Sequence, residues 1–395
     1  METIYFDYAA TTPVDERVLE SMLPYLTEKF GNPNSLYRLG REAYTSLEAA
    51  REQVAALLGA EAPNEVLFTS GGTESDNAAL IGIAQSAAAK HGNHVIVSAF
   101  EHHAVLEPAH WLEKNGFEVT YLKPRQDGWI HIEDVQAALR EDTVLVSIMH
   151  GNNEIGTVAP IRAIADAVHA MGGFMHTDAA QTLGKVPFNV QELGVDAATF
   201  SGHKIYGPKG IGVLYLRKRT PFNPFLRGGG QEFRKRSGTQ NVAGSIGFAA
   251  ALQLMVDSQA QEAVRLAGLR DKVTEGVIAR LENVETSVKG EGERIPGIAS
   301  LLIKGVEGEA MLLQLDNLGF AVSTGSACSS GSLEPSHVLL SIGCPPEIAH
   351  GSLRISMGRQ STETHVDKFL EVFPPIVERL RAMSPVYQRM FGSSV

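Results

Sequence analysis

The chain has 395 residues, more than one typical hydrophobic core contains, and this length indicates two or three domains. Its net charge of −11 argues against nucleic acid or an anionic membrane as the principal partner. The longest apolar run, residues 246–252, is too short to span a bilayer and predicts a buried helix. Because two cysteines cannot form a disulfide framework and the first residues do not resemble a signal peptide, we expect a cytoplasmic protein.

Short apolar segments alternate with helical patterns through most of the chain. A helix over residues 38–58 that ends at Gly59 comes first. The pattern then predicts strands at residues 66–69, 94–98, 119–122, 144–149, 174–178, 197–200 and 212–216, and helices at 73–90, 104–114 and 161–170. This alternation is typical of an α/β fold whose largely parallel sheet has helices on both faces. Ligands of such sheets bind at the carboxyl ends of the strands.

The pattern changes after about residue 262. A charged helix is predicted over residues 262–282, and strand-like segments follow at 299–303 and 319–323. A final helix is predicted over residues 363–383. This part of the chain therefore predicts a smaller α+β domain.

Lys204 follows a predicted strand and the turn Ser201-Gly202-His203, where side chains can converge on a ligand. Burial would lower its pKa, and the neutral amine could then form a Schiff base with an aldehyde cofactor such as pyridoxal phosphate. A solvated surface charge is the commoner role of a lysine in a loop. The surrounding motifs decide between these interpretations.

Two further strand ends carry residues that suit such a cofactor. The segment Ser70–Ser75 opens a helix, where glycines and free N–H groups favour a phosphate, although Thr73 or Ser75 could simply cap the helix. Asp178 ends another strand and could pair with a protonated pyridine nitrogen, while Gln181 could bind the ring oxygen. Asp178 could otherwise be only a helix N-cap.

Histidines follow a third strand, in Glu101-His102-His103. One of them could stack on a planar cofactor and move protons, or both could make ordinary hydrogen bonds. A metal site is disfavoured because adjacent histidines point apart and no second ligand cluster follows at metal spacing. After a fourth strand, Asn152-Asn153-Glu154 could orient a substrate or cofactor, or merely form a turn.

The two cysteines lie in different surroundings. Cys328 belongs to a Gly- and Ser-rich segment, residues 323–333, which predicts an accessible and reactive thiol. Cys344 lies at a turn before two prolines, which predicts an inert one. Arg354, on a strand-like run, could bind a carboxylate through two N–H groups or form a surface ion pair.

Together these motifs resemble the pyridoxal-phosphate-dependent cysteine desulfurases of the nitrogen-fixation and iron–sulfur-cluster assembly type, in the class V aminotransferase-like group of fold type I enzymes. The matching segments are residues 5–13, 69–77, 101–106, 152–156, 177–181, 201–208, 236–239, 326–338 and 354–359. Each segment is weak evidence by itself, but their order along nearly the whole chain is specific. The resemblance implies a large domain over residues 15–261 with a mostly parallel seven-stranded sheet. It also implies a small α+β domain, built from residues 1–14 and 262–395, that carries the cysteine loop.

The resemblance also implies roles for single residues. Lys204 would carry the cofactor, Asp178 would pair with the pyridinium, Gln181 would contact the ring hydroxyl, and His102 would stack on the ring and shuttle protons. The residues implied for the phosphate are Gly72, Thr73, Ser201, His203 and, from the other subunit of a homodimer, Thr239. Asn153 would contact both cofactor and substrate, and Arg354 would bind the substrate carboxylate. Cys328 would be the nucleophile.

The implied reaction converts L-cysteine to L-alanine and leaves the sulfur on Cys328 as a persulfide. An iron–sulfur scaffold protein or another acceptor would then receive the sulfur, and the persulfide could be a transient ligand of an iron–sulfur cluster. Residues 329–337 resemble the long loop of the group that serves a scaffold unaided. The chain departs from the pattern at Tyr37, where relatives often carry histidine, and this change bears on fine substrate positioning.

Three other functions compete with this interpretation. A hydrolase that uses Cys328 with a histidine would not need Lys204, Asp178 and the Gly72-Thr73 cup. A second is a non-catalytic sulfur-carrier or scaffold-binding protein that keeps the fold, but the intact lysine, aspartate and cysteine argue against lost chemistry. Selenocysteine lyases resemble the chain elsewhere but usually have a shorter cysteine loop.

Overall fold

The computed structural model describes residues 3–325 and 334–391 of the chain. The strands are β1 (Ile4–Tyr5), β2 (Val66–Thr69), β3 (His94–Ser98), β4 (Glu118–Leu122), β5 (Thr143–Ser147), β6 (Phe174–Asp178), β7 (Ala197–Ser201), β8 (Gly212–Leu216), β9 (Val284–Thr286), β10 (Ile298–Ile303), β11 (Phe320–Ala321) and β12 (Ser352–Ser356). The helices are α1 (Glu16–Thr27), α2 (Arg38–Leu58), α3 (Gly72–His91), α4 (His103–Lys114), α5 (Ile132–Ala138), α6 (Ile161–Ala170), α7 (Val190–Leu193), α8 (Val242–Ile278), α9 (Gly308–Asp316), α10 (His337–Ser341), α11 (Pro346–Ala349), α12 (Glu363–Ala382) and α13 (Pro385–Phe391).

Seven strands form the main sheet, in the order β2-β8-β7-β6-β5-β3-β4. Strand β8 is antiparallel to both of its neighbours, and the remaining pairs are parallel. Six strands therefore run in one direction and one in the other, and the prediction of a mostly parallel seven-stranded α/β sheet is confirmed. The reversal of β8 was not predicted, because the apolar pattern of a buried strand does not encode its direction.

Both faces of this sheet are covered by helices, as predicted. Alternate side chains of one strand enter different hydrophobic clusters, so that Val66 and Phe68 lie in one and Leu67 in the other. The first cluster includes residues of α2, α6 and α8, and the second includes residues of α3 and α4. This arrangement follows from the period of two of a strand and explains why these strands are apolar throughout.

A third hydrophobic cluster joins the beginning of the chain to its last part. It contains Ile4 and Phe6 together with residues of α8, α9, β10, β12 and α12. Strand β1 pairs in parallel with β11, and a bridge joins Asp7 to Ser356 at the end of β12. Strands β9, β10 and β12 form a separate antiparallel sheet. The N-terminal segment is thus fixed against elements more than 300 residues later in the sequence.

Helix α8 connects these regions as one element of 37 residues. Its first half supplies Phe248 and Leu252 to the first cluster, and its second half supplies Val273 and Val277 to the third. The sequence predicted two helices here, but residues 253–261 contain neither glycine nor proline that would end the first. Within residues 3–325 and 334–391, none of the helices is long and apolar enough to cross a membrane.

A buried ion pair anchors the segment that follows the sheet. Arg51 of α2 donates to both carboxylate oxygens of Glu232, at 2.6 and 2.8 Å, and to the carbonyl of Val66. Glu232 also accepts the N–H of Phe68 at 2.9 Å, and both charged side chains are 1% exposed. Residues 232–234 all have positive φ angles, a conformation that side chains rarely adopt without tertiary support. The ion pair supplies such support.

We predict that Glu232→Gln lowers the free energy of unfolding by about 3–5 kcal/mol, because it leaves the Arg51 charge buried without its partner. Glu48→Gln removes a second, partly exposed partner of Arg51 and should cost less than about 1 kcal/mol. Urea unfolding followed by circular dichroism measures both. Equal losses in the two variants would contradict the prediction.

Candidate active site

The carboxyl ends of the parallel strands open into one cavity of about 310 Å³. Its walls come from the segments after β2, β3, β5, β6 and β7, from the N-terminal segment and from β12. The cavity brings together ten residues singled out from the sequence: Gly72, Thr73, His102, Asn153, Asp178, Gln181, Ser201, His203, Lys204 and Arg354. Parallel strands explain this convergence, since their carboxyl ends share one edge of the sheet.

Lys204 ends a short 3-10 helix, Gly202–Lys204, that directly follows β7. Its Nζ donates to the carbonyl oxygens of Ala9 and Ala10, at 2.6 and 2.8 Å. The Ala9 carbonyl also accepts from Nε2 of Gln181 at 2.7 Å. Lys204 is therefore not a solvated surface lysine. Its amine lies inside the cavity, held by the N-terminal segment.

The first turn of α3 could hold an anion. The N-cap residue Gly71 makes no side-chain hydrogen bond to the helix. Ser75 does not cap it either, because its hydroxyl donates to the Gly71 carbonyl and contacts Thr69 Oγ1 at 2.8 Å. The interpretation of this motif as a plain N-cap is therefore wrong. Among the described residues the N–H groups of Gly72 and Thr73, at the positive end of the helix, have no side-chain acceptor, and both residues line the cavity.

Close packing keeps the backbone in this position. A Cβ atom on Gly212 of β8 would lie 2.7 Å from the Cα atom of Gly71, so only glycine fits there. Arg236 donates to both oxygens of Glu74 in the first helical turn, at 2.7 and 3.0 Å. Its guanidinium neutralises a carboxylate that would otherwise repel an anion in the cup. No role for Arg236 was predicted from the sequence, although it belongs to a matching segment.

Asp178 lies at the buried end of β6. One of its oxygens accepts the N–H of Ala180 at 2.9 Å, but no helix follows, so Asp178 is not a helix N-cap. Burial raises the pKa of Asp178 to about 6, although the Ala180 N–H and the charge of Lys204 act in the opposite direction. Burial thus favours the neutral form of Asp178, whereas the Lys204 amine and the Ala180 N–H favour the carboxylate.

A layer of buried polar groups lies beneath Asp178. Burial, followed by the charge of Asp178, raises the pKa of Asp76 well above its usual value, which favours a neutral carboxyl group. Burial lowers the pKa of His176 to about 3, and its ring nitrogens contact Ser147 Oγ at 2.8 Å and Thr199 Oγ1 at 3.1 Å. A neutral Asp76 and a neutral His176 leave the charge of this layer on Asp178. The burial of Asp76 was not predicted, because a polar residue within a helical pattern is usually exposed to solvent.

His102 caps α4, as an ordinary hydrogen-bonding histidine can, and it also lines the cavity, where a planar cofactor could reach its ring. Its Nδ1 accepts the N–H of Ala104 at 3.1 Å, and the neutral ring therefore carries its proton on Nε2. Burial, then the charges of Lys204 and His103, lowers the pKa of His102 to about 4. His203 is also kept neutral, since burial and Lys204 lower its pKa to about 4.

Arg354 is buried, with 4% of its surface exposed, and the prediction of a surface ion pair is wrong. One terminal nitrogen donates to the Asn153 carbonyl at 3.0 Å and the other to Asp7 Oδ1 at 2.8 Å. Its Nε has no hydrogen-bond partner among the described residues. A guanidinium held on two sides, with an unused donor, suits a carboxylate ligand in the cavity.

The remaining residues predicted from the sequence either lie apart from the cavity or fall outside the residues that the structure describes. Thr239 is exposed, and Cys328 lies in residues 326–333, outside the described residues. Asn152 forms a turn, since its side-chain oxygen accepts the N–H groups of Glu154 and Ile155. Cys344 is half-buried, and burial raises its pKa to about 11, which agrees with an inert thiol.

Comparison with known proteins agrees with this geometry. A family model described as "Aminotransferase class-V" matches residues 4–369, and the chain therefore belongs to this family.

The chain is similar over nearly its full length to individual members. It is 49% identical to a protein named "Cysteine desulfurase IscS" from Dictyoglomus turgidum, over 98% of this chain and 97% of that protein. A solved structure entitled "NIFS-LIKE PROTEIN" superposes with a TM-score of 0.89 at 39% identity, covering 96% of this chain and all of the other. Another, "SspA in complex with cysteine", superposes with a TM-score of 0.79 at 35% identity, covering 90% and 99%.

The buried histidines predict how stability depends on pH. Burial lowers the pKa of His150, which lies beside the cavity, from 6.5 to about 4. Between these values the unfolded chain binds a proton that the folded chain does not, so the protein loses stability as the pH falls from 6.5 to 4. We expect His150→Gln to remove about 3 kcal/mol of this loss, as measured by urea unfolding at pH 7.0, 5.5 and 4.5.

His110 is a suitable control, because its side chain is 46% exposed on α4. The variant His110→Gln should keep the pH dependence of the wild type. An unchanged dependence in His150→Gln would contradict the assignment of a neutral buried ring.

Proposed function

We propose that the protein is a pyridoxal-phosphate-dependent cysteine desulfurase. It converts L-cysteine to L-alanine and keeps the sulfur atom on Cys328 as a persulfide. The observation that carries this proposal is the convergence of Lys204, Asp178 and Arg354 in one cavity. An amine, a carboxylate and a buried guanidinium there match an aldehyde cofactor and an amino acid substrate. The names of the similar proteins support the choice of cysteine.

The residues of the cavity fit pyridoxal phosphate. The uncapped first turn of α3 at Gly72 and Thr73 would hold its phosphate, together with the side chains of Ser201 and His203. Asp178 would accept the N–H of the pyridinium ring, and Gln181 would bind the ring hydroxyl. When bound, the cofactor supplies an electron sink for the substrate's α-carbon.

Arg354 and Asn153 orient the substrate. The Asp7 carboxylate and the Asn153 carbonyl hold the guanidinium in place, so that little side-chain entropy is lost when it binds the substrate carboxylate. The Asn153 side chain, on the wall of the same cavity, contacts both cofactor and substrate.

Lys204 and His102 move protons. The amine of Lys204 takes the proton from the α-carbon of the substrate and returns a proton to the product. The Nε2–H of His102 can donate to the substrate, and its low pKa lets the ring return to the neutral form at neutral pH.

Cys328 receives the sulfur. Its thiolate forms a bond to the sulfur atom of the substrate while the bond between that sulfur and the β-carbon breaks, and the β-carbon gains a proton as L-alanine forms. Cys328 is left as a persulfide, and no external oxidant is needed. The persulfide passes to an iron–sulfur scaffold protein or to another acceptor, and during that transfer Cys328 can be a transient ligand of an iron–sulfur cluster.

The active form is a homodimer in which Thr239 completes the phosphate site of the partner subunit. Thr239 is exposed, and Gln240 beside it contacts Asn34 at 3.0 Å. Close to Asn34 in the sequence, Leu36 is 90% exposed and Tyr37 60% exposed. Other apolar residues exposed on α1 and α2 are Leu19, Leu23, Leu26 and Tyr44. Such a surface supports contact with a second copy of the chain.

The domain division and location belong to the same proposal. Residues 15–261 form the large cofactor-binding domain, and residues 1–14 and 262–395 form the small one. The third hydrophobic cluster supports that division, because all of its residues come from 1–14 and 262–395, while the first cluster also includes Val338 and Leu339. A cytoplasmic location would keep the Cys328 thiol reduced between turnovers.

The absorption spectrum with a product assay tests the reaction. We expect a yellow protein that releases L-alanine from L-cysteine. Cys328→Ala should stay yellow and lose roughly 100-fold or more in cysteine-dependent turnover with a thiol acceptor, because it lacks the nucleophile. Lys204→Ala should lose the visible band of the covalently held cofactor.

The control is Cys344→Ala, which removes the half-buried thiol and should keep wild-type turnover. A colourless wild type that does not take up added pyridoxal phosphate would refute the assignment of Lys204. Full turnover by Cys328→Ala would refute the persulfide.

A mixing experiment tests the shared site. Lys204→Ala and Thr239→Glu should each be almost inactive, the second because a carboxylate repels the cofactor phosphate. After exchange of subunits, half of the dimers contain one intact site, so the mixture should recover about a quarter of wild-type activity.

Mixing Thr239→Glu with the double variant Lys204→Ala/Thr239→Glu is the matched control, because no combination of these subunits has an intact site. Recovery no greater than in this control would show that Thr239 does not act across a dimer.

A further inference from the structure

Lys185 takes no part in the proposed reaction, yet a chain of hydrogen bonds joins it to the active site. Its Nζ donates to Gln181 Oε1 at 3.2 Å, and Gln181 Nε2 donates to the Ala9 carbonyl at 2.7 Å. The same carbonyl accepts from Lys204 Nζ at 2.6 Å. Two lysines are thus connected through one amide side chain and one backbone carbonyl.

This chain fixes the orientation of the Gln181 amide. A lysine ammonium can only donate hydrogen bonds, and a carbonyl oxygen can only accept them. Lys185 must therefore face Oε1 of Gln181, and the NH2 group must face the Ala9 carbonyl. The NH2 group is the end that can donate to an oxygen of the cofactor ring.

The positive charge of Lys185 is not neutralised by a neighbouring carboxylate among the ion pairs of the described residues. Lys185 also lines a second, small cavity, together with Tyr8, Tyr206, Glu262 and Arg359. Glu262 pairs with Arg265 at 2.7 Å, and Arg359 pairs with Asp15 at 2.8 Å. On the active-site side, the charged or titratable groups that interact with Lys185 are Lys204, Arg354 and His203.

The effect between the two lysines is mutual. Burial, followed by the charges of Lys204 and Arg354, lowers the pKa of Lys185 to about 7. Repulsion between two cations is the same for both, so a charged Lys185 also disfavours a positive charge on the Lys204 nitrogen. A second cation of this kind is a known way to keep a lysine amine reactive.

We propose that Lys185 is a positioning residue that orients the Gln181 amide and disfavours protonation of the Lys204 nitrogen when that nitrogen holds the cofactor. The inference rests on the proposed function, since it concerns the bound cofactor. It assigns to Lys185 an effect on the cofactor's spectrum that a purely structural lysine would not have.

The test is a pH titration of the visible absorption of the holoenzyme, without substrate. Lys185→Met and Lys185→Gln both remove the charge and should move the midpoint upward by about one pH unit, which is about tenfold more protonated form at a given pH. Lys185→Arg stays charged at every pH and should leave the midpoint at or below that of the wild type. Lys304→Met removes a partly buried lysine that pairs with Glu285, and should not move the midpoint.

The outcomes separate this inference from the proposed function. A wild type that binds no pyridoxal phosphate refutes the function itself. A wild type that binds it, with Lys185→Met and Lys185→Gln titrating at the wild-type midpoint, overturns the role of Lys185 alone. If neither neutral variant folds, a midpoint above the wild type in Lys185→Arg has the same meaning, and a midpoint below it supports the role.

Discussion

The direction of the strands is the constraint on which the site depends. Because β2, β3, β5, β6 and β7 run the same way, the segments after them meet at one edge of the sheet, although they are far apart in sequence. Strand β8 lies between β2 and β7 and is antiparallel to both, so β2 and β7 run in the same direction. The first turn of α3, after β2, and Lys204, after β7, thereby line the same cavity.

The charges in the cavity are arranged by burial more than by ion pairs. Burial keeps His102, His176 and His203 neutral, so none of them offers a positive charge to Asp178. The charge of Lys204 favours the ionised form of Asp178 instead. Arg354 differs, because Asp7 balances it directly at 2.8 Å. Its backbone also pairs with Ser323, close to the segment that contains Cys328. Strand β12 therefore connects the cavity-lining Arg354 with Ser323, five residues before Cys328 in the sequence.

Much of this arrangement could be predicted from the sequence. The strands and the principal helices are signalled by apolar period, and Gly59 marks the end of α2 with φ 73° as glycine permits. The residues at strand ends were found for the same reason. What could not be predicted depends on tertiary contacts. Asp76 and Lys185 lie within or between elements, and nothing in their local sequence tells that they are buried. The supporting contacts of Arg236 with Glu74, and of Asp7 with Arg354, join residues separated by 162 and 347 positions.

The position of β1 has a consequence for biosynthesis. Ile4 and Tyr5 leave the ribosome more than 300 residues before their partners in β11, Phe320 and Ala321. The carbonyls of Ala9 and Ala10, which accept hydrogen bonds from Lys204, lie shortly after β1 in the sequence. Until β11 has been synthesised, β1 lacks the strand with which it pairs. A nascent chain can thus form its central sheet before the segment that holds Lys204 is anchored through β1.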